Sequence, residues 1–198
     1  MDGDIGYFNL EDWWLNELTS KERKIIEKKY TPISSDTSSC SLTKGKVAWS
    51  SNNSKLAFLT GIASFLNKPE DYTLSKKILK YAERFISETK DILCTHFYYQ
   101  NCIQIHYKNR DKEINALSEA IEACKKQISI SEESKKAFQR EFRKKPLPIH
   151  VGYKQLAIIL DKQKKYDELI QLCEQAKEQG WNENWDKRIE KAKNKLNK

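Results

Sequence analysis

Cys94, Tyr98, Cys102 and His106 recur every four residues, so on a helix they share one face, with His96 close by. Thiolate and imidazole are zinc-ligand types, but a tetrahedral site takes four ligands, and Cys102 with His106 supplies two of them. Neither CxxC nor HxxxH occurs, so the spacing favours thiols packed in a helix interface, with no metal and no cofactor. The three histidines, His96, His106 and His150, have no HExxH, HxE or triad-type surroundings. His150 follows Pro148 at an expected helix start, where an imidazole packs or hydrogen-bonds. The six glycines, at 3, 6, 45, 61, 152 and 180, form neither GxGxxG nor GxxxxGK[ST], which excludes phosphate-cradling loops of those types. An enzyme is not expected.

Charge offers a second kind of chemistry. Lys and Arg number 36 against 28 Asp and Glu, a net charge of +8. Residues 131–198 carry 17 basic and 11 acidic groups and hold most of the excess. The densest run is Lys135, Lys136, Arg140, Arg143, Lys144 and Lys145, with only Glu141 among them. Phe138, Phe142 and Tyr153 are near enough in sequence to stack bases while the cations meet phosphates. Arg140, Arg143, Lys144 and Lys145 therefore form an alternative basic site for nucleic acid or another acidic ligand. A solvated helix face explains the same run, and interleaved acidic residues weaken the nucleic-acid reading. Trp13 and Trp14, with Leu10 and Leu18, fall at i, i+3, i+4 and i+8, which suits a core stripe better than an exposed partner anchor.

The elements that would position these residues are helices. Thr19-Ser-Lys-Glu22 is a capping box that starts a short helix ended by Thr31-Pro32. Residues 1–32 thus read as an N-terminal helical hairpin. Residues 33–54 form the one low-complexity stretch, rich in Ser, Thr and Asn, and read as a surface loop that Val47 and Trp49 could pin down. From 55 to 198 the apolar spacing is helical almost throughout, with Pro69, Pro146 and Pro148 as punctuation. Six glycines and four prolines leave few breakers for a fold of many tight turns, so the chain is expected to be all-α. Four of the five cysteines lie on apolar stripes, the first basic residue is Lys21, and the apolar run Leu56–Asn67 falls far short of the roughly 20 residues of a membrane span. A cytoplasmic protein without a membrane partner is the expectation.

Two helix pairs read alike. Ile103-x3-Tyr107, then Asn109-Arg-Asp111, then Ala116-Leu117-x2-Ala120-x2-Ala123 parallels Leu156-x3-Leu160, Lys164-Lys165-Tyr166 and Leu169-Ile170-x2-Cys173-x2-Ala176. Small residues every three or four positions let antiparallel helices approach closely. In these residues the chain resembles the tetratricopeptide repeat (TPR) family. Tyr153, Leu156, Ala157, Tyr166 and Ala176 match its pattern in the second unit, and Ile103, Tyr107, Ala116 and Ala123 in the first. Leu169 stands where the family has Ala, Trp181 where it usually has Pro, and Ser129–Leu147 is inserted between the units. The segment from Leu147 to Ile189 is also similar to the C-terminal unit of bacterial and phage helical-repeat proteins.

The resemblance implies an α-solenoid of TPR-like antiparallel helix pairs over 55–198, closed by a C-terminal capping helix carrying Trp181, Trp185, Ile189, Ala192 and Leu196. It also implies a protein- or peptide-binding module, an adaptor or regulator in a prokaryotic cytoplasm, whose first helices line a concave face. On that mapping Tyr98, Asn101, Ile105, Lys108 and Asn109 face a partner from one pair, and Lys154, Ile158, Asp161 and Lys162 from the other. Lys108, Lys154 and Lys162 would meet a carboxylate, and Asn101 and Asn109 would hold the peptide backbone.

Overall fold

The computed structural model describes residues 1–31, 42–47, 50–143 and 145–197. Half of the Ser/Thr-rich stretch 33–54, with Cys40 and Trp49 in that half, and Lys144 lie outside the described residues. Among those described, every regular element is a helix and there is no strand. The chain forms two compact units, Met1–Thr89 and Lys90–Lys198. The boundary therefore falls at 89/90, and the helices between 55 and 89 belong to the same unit as the N-terminal segment.

The first unit opens with a five-residue helix, α1 (Gly3–Tyr7), on which part of the low-complexity stretch docks. The amides of Gly3 and Ile5 donate to the carbonyls of Gly45 and Leu42 at 2.8 and 2.9 Å. The apolar stripe that follows carries a single π turn, Trp13–Glu17, and Leu10, Trp13, Trp14 and Leu18 are all buried, as their spacing predicts. A π turn leaves carbonyls at its end without helical partners, and here one side chain answers them. The Arg23 Nη1 donates to the carbonyl oxygens of Trp14, Leu15 and Leu18, each at 3.0 Å. Arg23 belongs to α2 (Ser20–Lys29), whose capping box forms as expected, with Thr19 Oγ1 accepting from Glu22 N–H at 3.2 Å and Thr19 N–H donating back at 2.7 Å.

The helices α3 (Lys55–Phe65) and α4 (Tyr72–Ala82) pack as a pair. Side chains then tie α2 to α4. Lys29 Nζ donates to Asp71 Oδ1 at 2.6 Å, and Lys77 Nζ to Glu22 Oε1 at 2.9 Å. Trp13 stacks on Tyr81 with centroids 5.3 Å apart. Lysine ammoniums are costly to desolvate alone, so the half-buried Lys29 depends on the buried Asp71 carboxylate beside it.

The second unit holds α5 (Ile92–Lys108), α6 (Ala116–Ser129), α7 (Ser131–Glu141), α8 (Val151–Lys162), α9 (Tyr166–Glu178) and α10 (Trp185–Leu196). Packing runs in order: α6 lies on α5, α8 on both α5 and α6, α9 on α8, and α10 on α9, while α7 packs against α5. The alanine stripe of α6 faces inward, with Ala116, Ala120, Ala123 and Cys124 buried, and so does the Cys173–Ala176 stripe of α9. Two left-handed residues end helices tightly. Lys164 has φ 59° after α8, and Gly180 has φ 81° after α9, where Trp181 N–H returns to the Ala176 carbonyl at 3.2 Å.

The helices α5, α6 and α8 meet around a polar centre. Gln127 of α6 is fully buried; its Nε2 donates to the His96 carbonyl of α5 at 3.0 Å, and its Oε1 accepts from Gly152 N–H of α8 at 2.6 Å. One carboxamide thus links three helices and satisfies one of the orphan amides at the start of α8. The position needs glycine because a Cβ at 152 would lie 2.8 Å from Gln127 Oε1 and 3.1 Å from the Cys124 carbonyl oxygen. Gln127→Leu keeps the volume but strands a buried amide. It is expected to lower the unfolding free energy by about 1–3 kcal/mol, read as an earlier urea midpoint. A midpoint equal to that of the parent chain would show that the linkage carries no stability.

Candidate functional site

On α5 the cysteine and histidine side chains turn inward. Cys94, Tyr98, Cys102 and His106 are all buried, and His106 Nδ1 lies 3.4 Å from Glu119 Oε2 on α6. Among the described residues no group of three or more His, Cys, Asp or Glu comes together to hold a metal ion. Burial pushes the Cys124 and Cys173 thiols up to about 12 and about 11, where they pack as small apolar groups.

His96 and His150 meet in the core. Their rings are perpendicular with centroids 5.0 Å apart, inside a cluster with Phe138, Tyr153 and Trp181. His150 caps α8, its Nδ1 accepting from Tyr153 N–H at 3.3 Å, which leaves the proton on Nε2. That Nε2 and the Nδ1 of His96 are buried without hydrogen-bond partners. Desolvation lowers His96 to about 4, and desolvation together with the neighbouring His96 lowers His150 to about 3. Both rings are neutral packing groups at pH 7, not a catalytic pair open to solvent.

The residues expected to face a partner divide. Tyr98 and Asn109 do not: Tyr98 is buried, and Asn109 is buried with its Nδ2 donating to the Ile105 carbonyl at 2.8 Å. The reason is that α5 is covered by α6, α7 and α8 together, more of its surface than a simple pair would hide. Ile105 is buried as well. Asn101 is half-buried and spends its Nδ2 on the Phe97 carbonyl at 2.9 Å, while Lys108 is exposed. Lys162 is exposed and donates to Tyr107 Oη at 3.2 Å, with the Arg110 guanidinium 4.2 Å from the centroid of the same ring. Lys154 pairs with Glu183 at 3.1 Å, and Asp161 with Lys195 at 2.7 Å.

Those last two pairs flank a concavity that spacing did not reveal. A pocket of about 260 Å³ opens between α8 and α10, floored by Ala157 and Leu169 and walled by Asp161, Glu183, Lys187, Arg188, Lys191 and Lys195. Leu169, the residue that departs from the repeat pattern, supplies part of its apolar floor. In sequence the α10 cations look like the solvated back of a cap. Their i, i+4 and i+8 spacing at 187, 191 and 195 was the available signal. Glu183 is held below the usual carboxylate range: burial opposes ionisation, but the Lys154 hydrogen bond and the nearby Lys154 and Arg188 charges outweigh it. A second groove, of about 500 Å³, lies between α6, α8 and α9 over Ile121, Leu156, Leu160 and Leu172.

The alternative basic site is open to solvent. Arg140, Arg143 and Lys145 are exposed and make no ion pair among the described residues, and Phe142 beside them is 48% exposed. Lys144 lies outside the described residues.

No protein-family model, curated protein or solved structure matches the chain. Function must be argued from the site itself. Among the described residues no helix is long and apolar enough to cross a membrane.

The histidine pair makes stability depend on pH with a definite sign. Both imidazoles titrate near 6.5 when unfolded and well below that when folded. The unfolded chain therefore takes up protons first as pH falls. The stability is present above pH 6.5 and is lost toward pH 4. Between pH 7 and pH 5 the loss is expected to be on the order of 3 kcal/mol, measured by urea unfolding at each pH. His150→Asn keeps a capping side chain and should roughly halve the dependence; a pH-independent midpoint in the parent chain would refute the assignment.

Proposed function

We propose that the chain is a non-enzymatic protein- or peptide-binding module, an adaptor or regulator of the prokaryotic cytoplasm. In this reading α5–α6 and α8–α9 are TPR-like pairs of a short solenoid, α10 is its cap, and α7 is an insertion. The ordered packing of α5, α6, α8, α9 and α10 supports it, because each helix of a solenoid touches its neighbours along the stack. So do the buried small residues of α6 and α9 and the tight turns at Lys164 and Gly180. The observation that carries the reading is the α8–α10 pocket. α8 would be the first helix of its unit, of the kind that lines the ligand face in such repeats, and the cap α10 would stand beside it. At about 260 Å³ the pocket falls below the ~300–1,000 Å³ of sites that enclose cofactor-sized molecules. It suits a side chain of an extended partner instead. Lys108, Lys162 and Lys154 continue the same cationic character across α5 and α8.

A second reading, nucleic-acid binding at Arg140, Arg143, Lys144 and Lys145, is favoured by Arg140, Arg143 and Lys145, which are exposed near Phe142 and have no ion pair among the described residues. The two are separable. Peptides selected from a random display library on the full chain are expected to protect amides of α8 and α10 from hydrogen exchange. Selection that yields no binder, or protection confined to other faces, would overturn the peptide-binding reading. Nucleic acid would instead give a salt-steep mobility shift lost in Arg140→Gln/Arg143→Gln.

A further inference from the structure

The α8–α10 pocket carries an unmet electrostatic demand. Arg188 is half-buried, its Nε is shielded from water and has no hydrogen-bond acceptor among the described residues, and its Nη2 contact with Glu183 is long at 3.9 Å. Lys187 and Lys191 sit one helical turn apart on the same wall and have no ion pair among the described residues. The long Glu183 contact leaves the rest of the guanidinium weakly neutralised, and an anion in the pocket would complete it. Lysines at i and i+4 can bracket the same anion from the rim.

Resting on the peptide-binding reading, we infer that this pocket is a subsite for an acidic side chain, and that the partner is an Asp/Glu-rich peptide segment. Its carboxylate would accept from Arg188, with Lys187 and Lys191 holding it or a neighbouring carboxylate at the mouth. Glu183 sits against Lys154 and Arg188, and Asp161 against Lys195, so an entering anion meets chiefly Lys187, Lys191 and the part of Arg188 that Glu183 does not hold. Glu183 in particular shares Arg188 with the ligand and so acts as an internal competitor. The floor of Ala157 and Leu169 gives the methylene groups of a Glu side chain an apolar surface.

The test is fluorescence anisotropy of the full chain with four labelled probes: a twelve-residue Glu/Leu peptide, its Gln/Leu counterpart, a phosphoserine-substituted version and a twelve-residue oligothymidylate. The Glu/Leu peptide is expected to bind at least tenfold more tightly than the Gln/Leu peptide. Lys187→Glu/Lys191→Glu, on exposed positions, should weaken it at least tenfold without changing the far-UV spectrum. Glu183→Gln removes the competitor and should tighten it several-fold, an outcome that a merely structural role for Glu183 would not produce. Equal affinity for the Glu and Gln peptides overturns the inference, as does tighter binding of the phosphoserine peptide. So does binding of the oligothymidylate alone. If the Glu/Leu peptide fails while display-selected peptides still protect α8 and α10, only this inference falls. If no peptide binds, the peptide-binding reading falls with it.

Discussion

The hydrogen bond of 2.6 Å from Gly152 N–H to Gln127 Oε1 sets how closely α8 can lie on α6, and much of the second unit follows from that approach. The bond exists only because residue 152 lacks a side chain and because Gln127 is held from its other end by the His96 carbonyl. Once α8 starts there, His150 is carried into the core as its cap, against His96 and Trp181. Trp181 in turn follows the left-handed Gly180, so the entry to α10 is set by the same cluster. A polar group placed so deeply is high-stakes: satisfied at both ends it fixes one arrangement, and half-satisfied it would be worse than an apolar side chain.

The first unit solves a different problem by different means. Its N-terminal stretch is built of short helical pieces, and charged side chains tie them together. Arg23 collects the carbonyls left by the π turn, Lys29 reaches Asp71, and Lys77 reaches Glu22. Arginine suits the first task because its guanidinium remains charged and presents donors in a fixed fork. The aromatic stripe then needs only burial, which Trp13 obtains by stacking on Tyr81.

Helix positions were largely legible in the sequence, because apolar spacing and capping residues are local. The Thr19–Glu22 box and the Ala116–Ala120–Ala123 stripe form as their spacing requires. What could not be read was which face of a helix remains uncovered. Asn109 and Tyr98 look available on an isolated pair, but α7 and α8 join α6 in covering α5. Nothing local to Gln127 reveals that Gly152 will present an amide to it. The α8–α10 pocket was hidden for the same reason. Its walls come from residues more than twenty positions apart, and its cations resemble those of any solvated helix.

Charge also acts differently in different places. Around the α8–α10 pocket, Lys154 and Lys195 are committed to Glu183 and Asp161, joining α8 to the start and end of α10 across its length. These exposed or half-exposed pairs contribute modestly to stability, since water screens them, but they keep two carboxylates at the pocket wall. Lys187 and Lys191 are left without such commitments, and Arg188 has only a distant one. An anion entering there competes with side chains that orient α10, while the packing of α10 on α9 is made elsewhere, through Trp185 and Ala192. Recognition at this site would therefore be separable from folding. The charges that would bind a ligand can be exchanged without touching the apolar contacts that hold the helix in place.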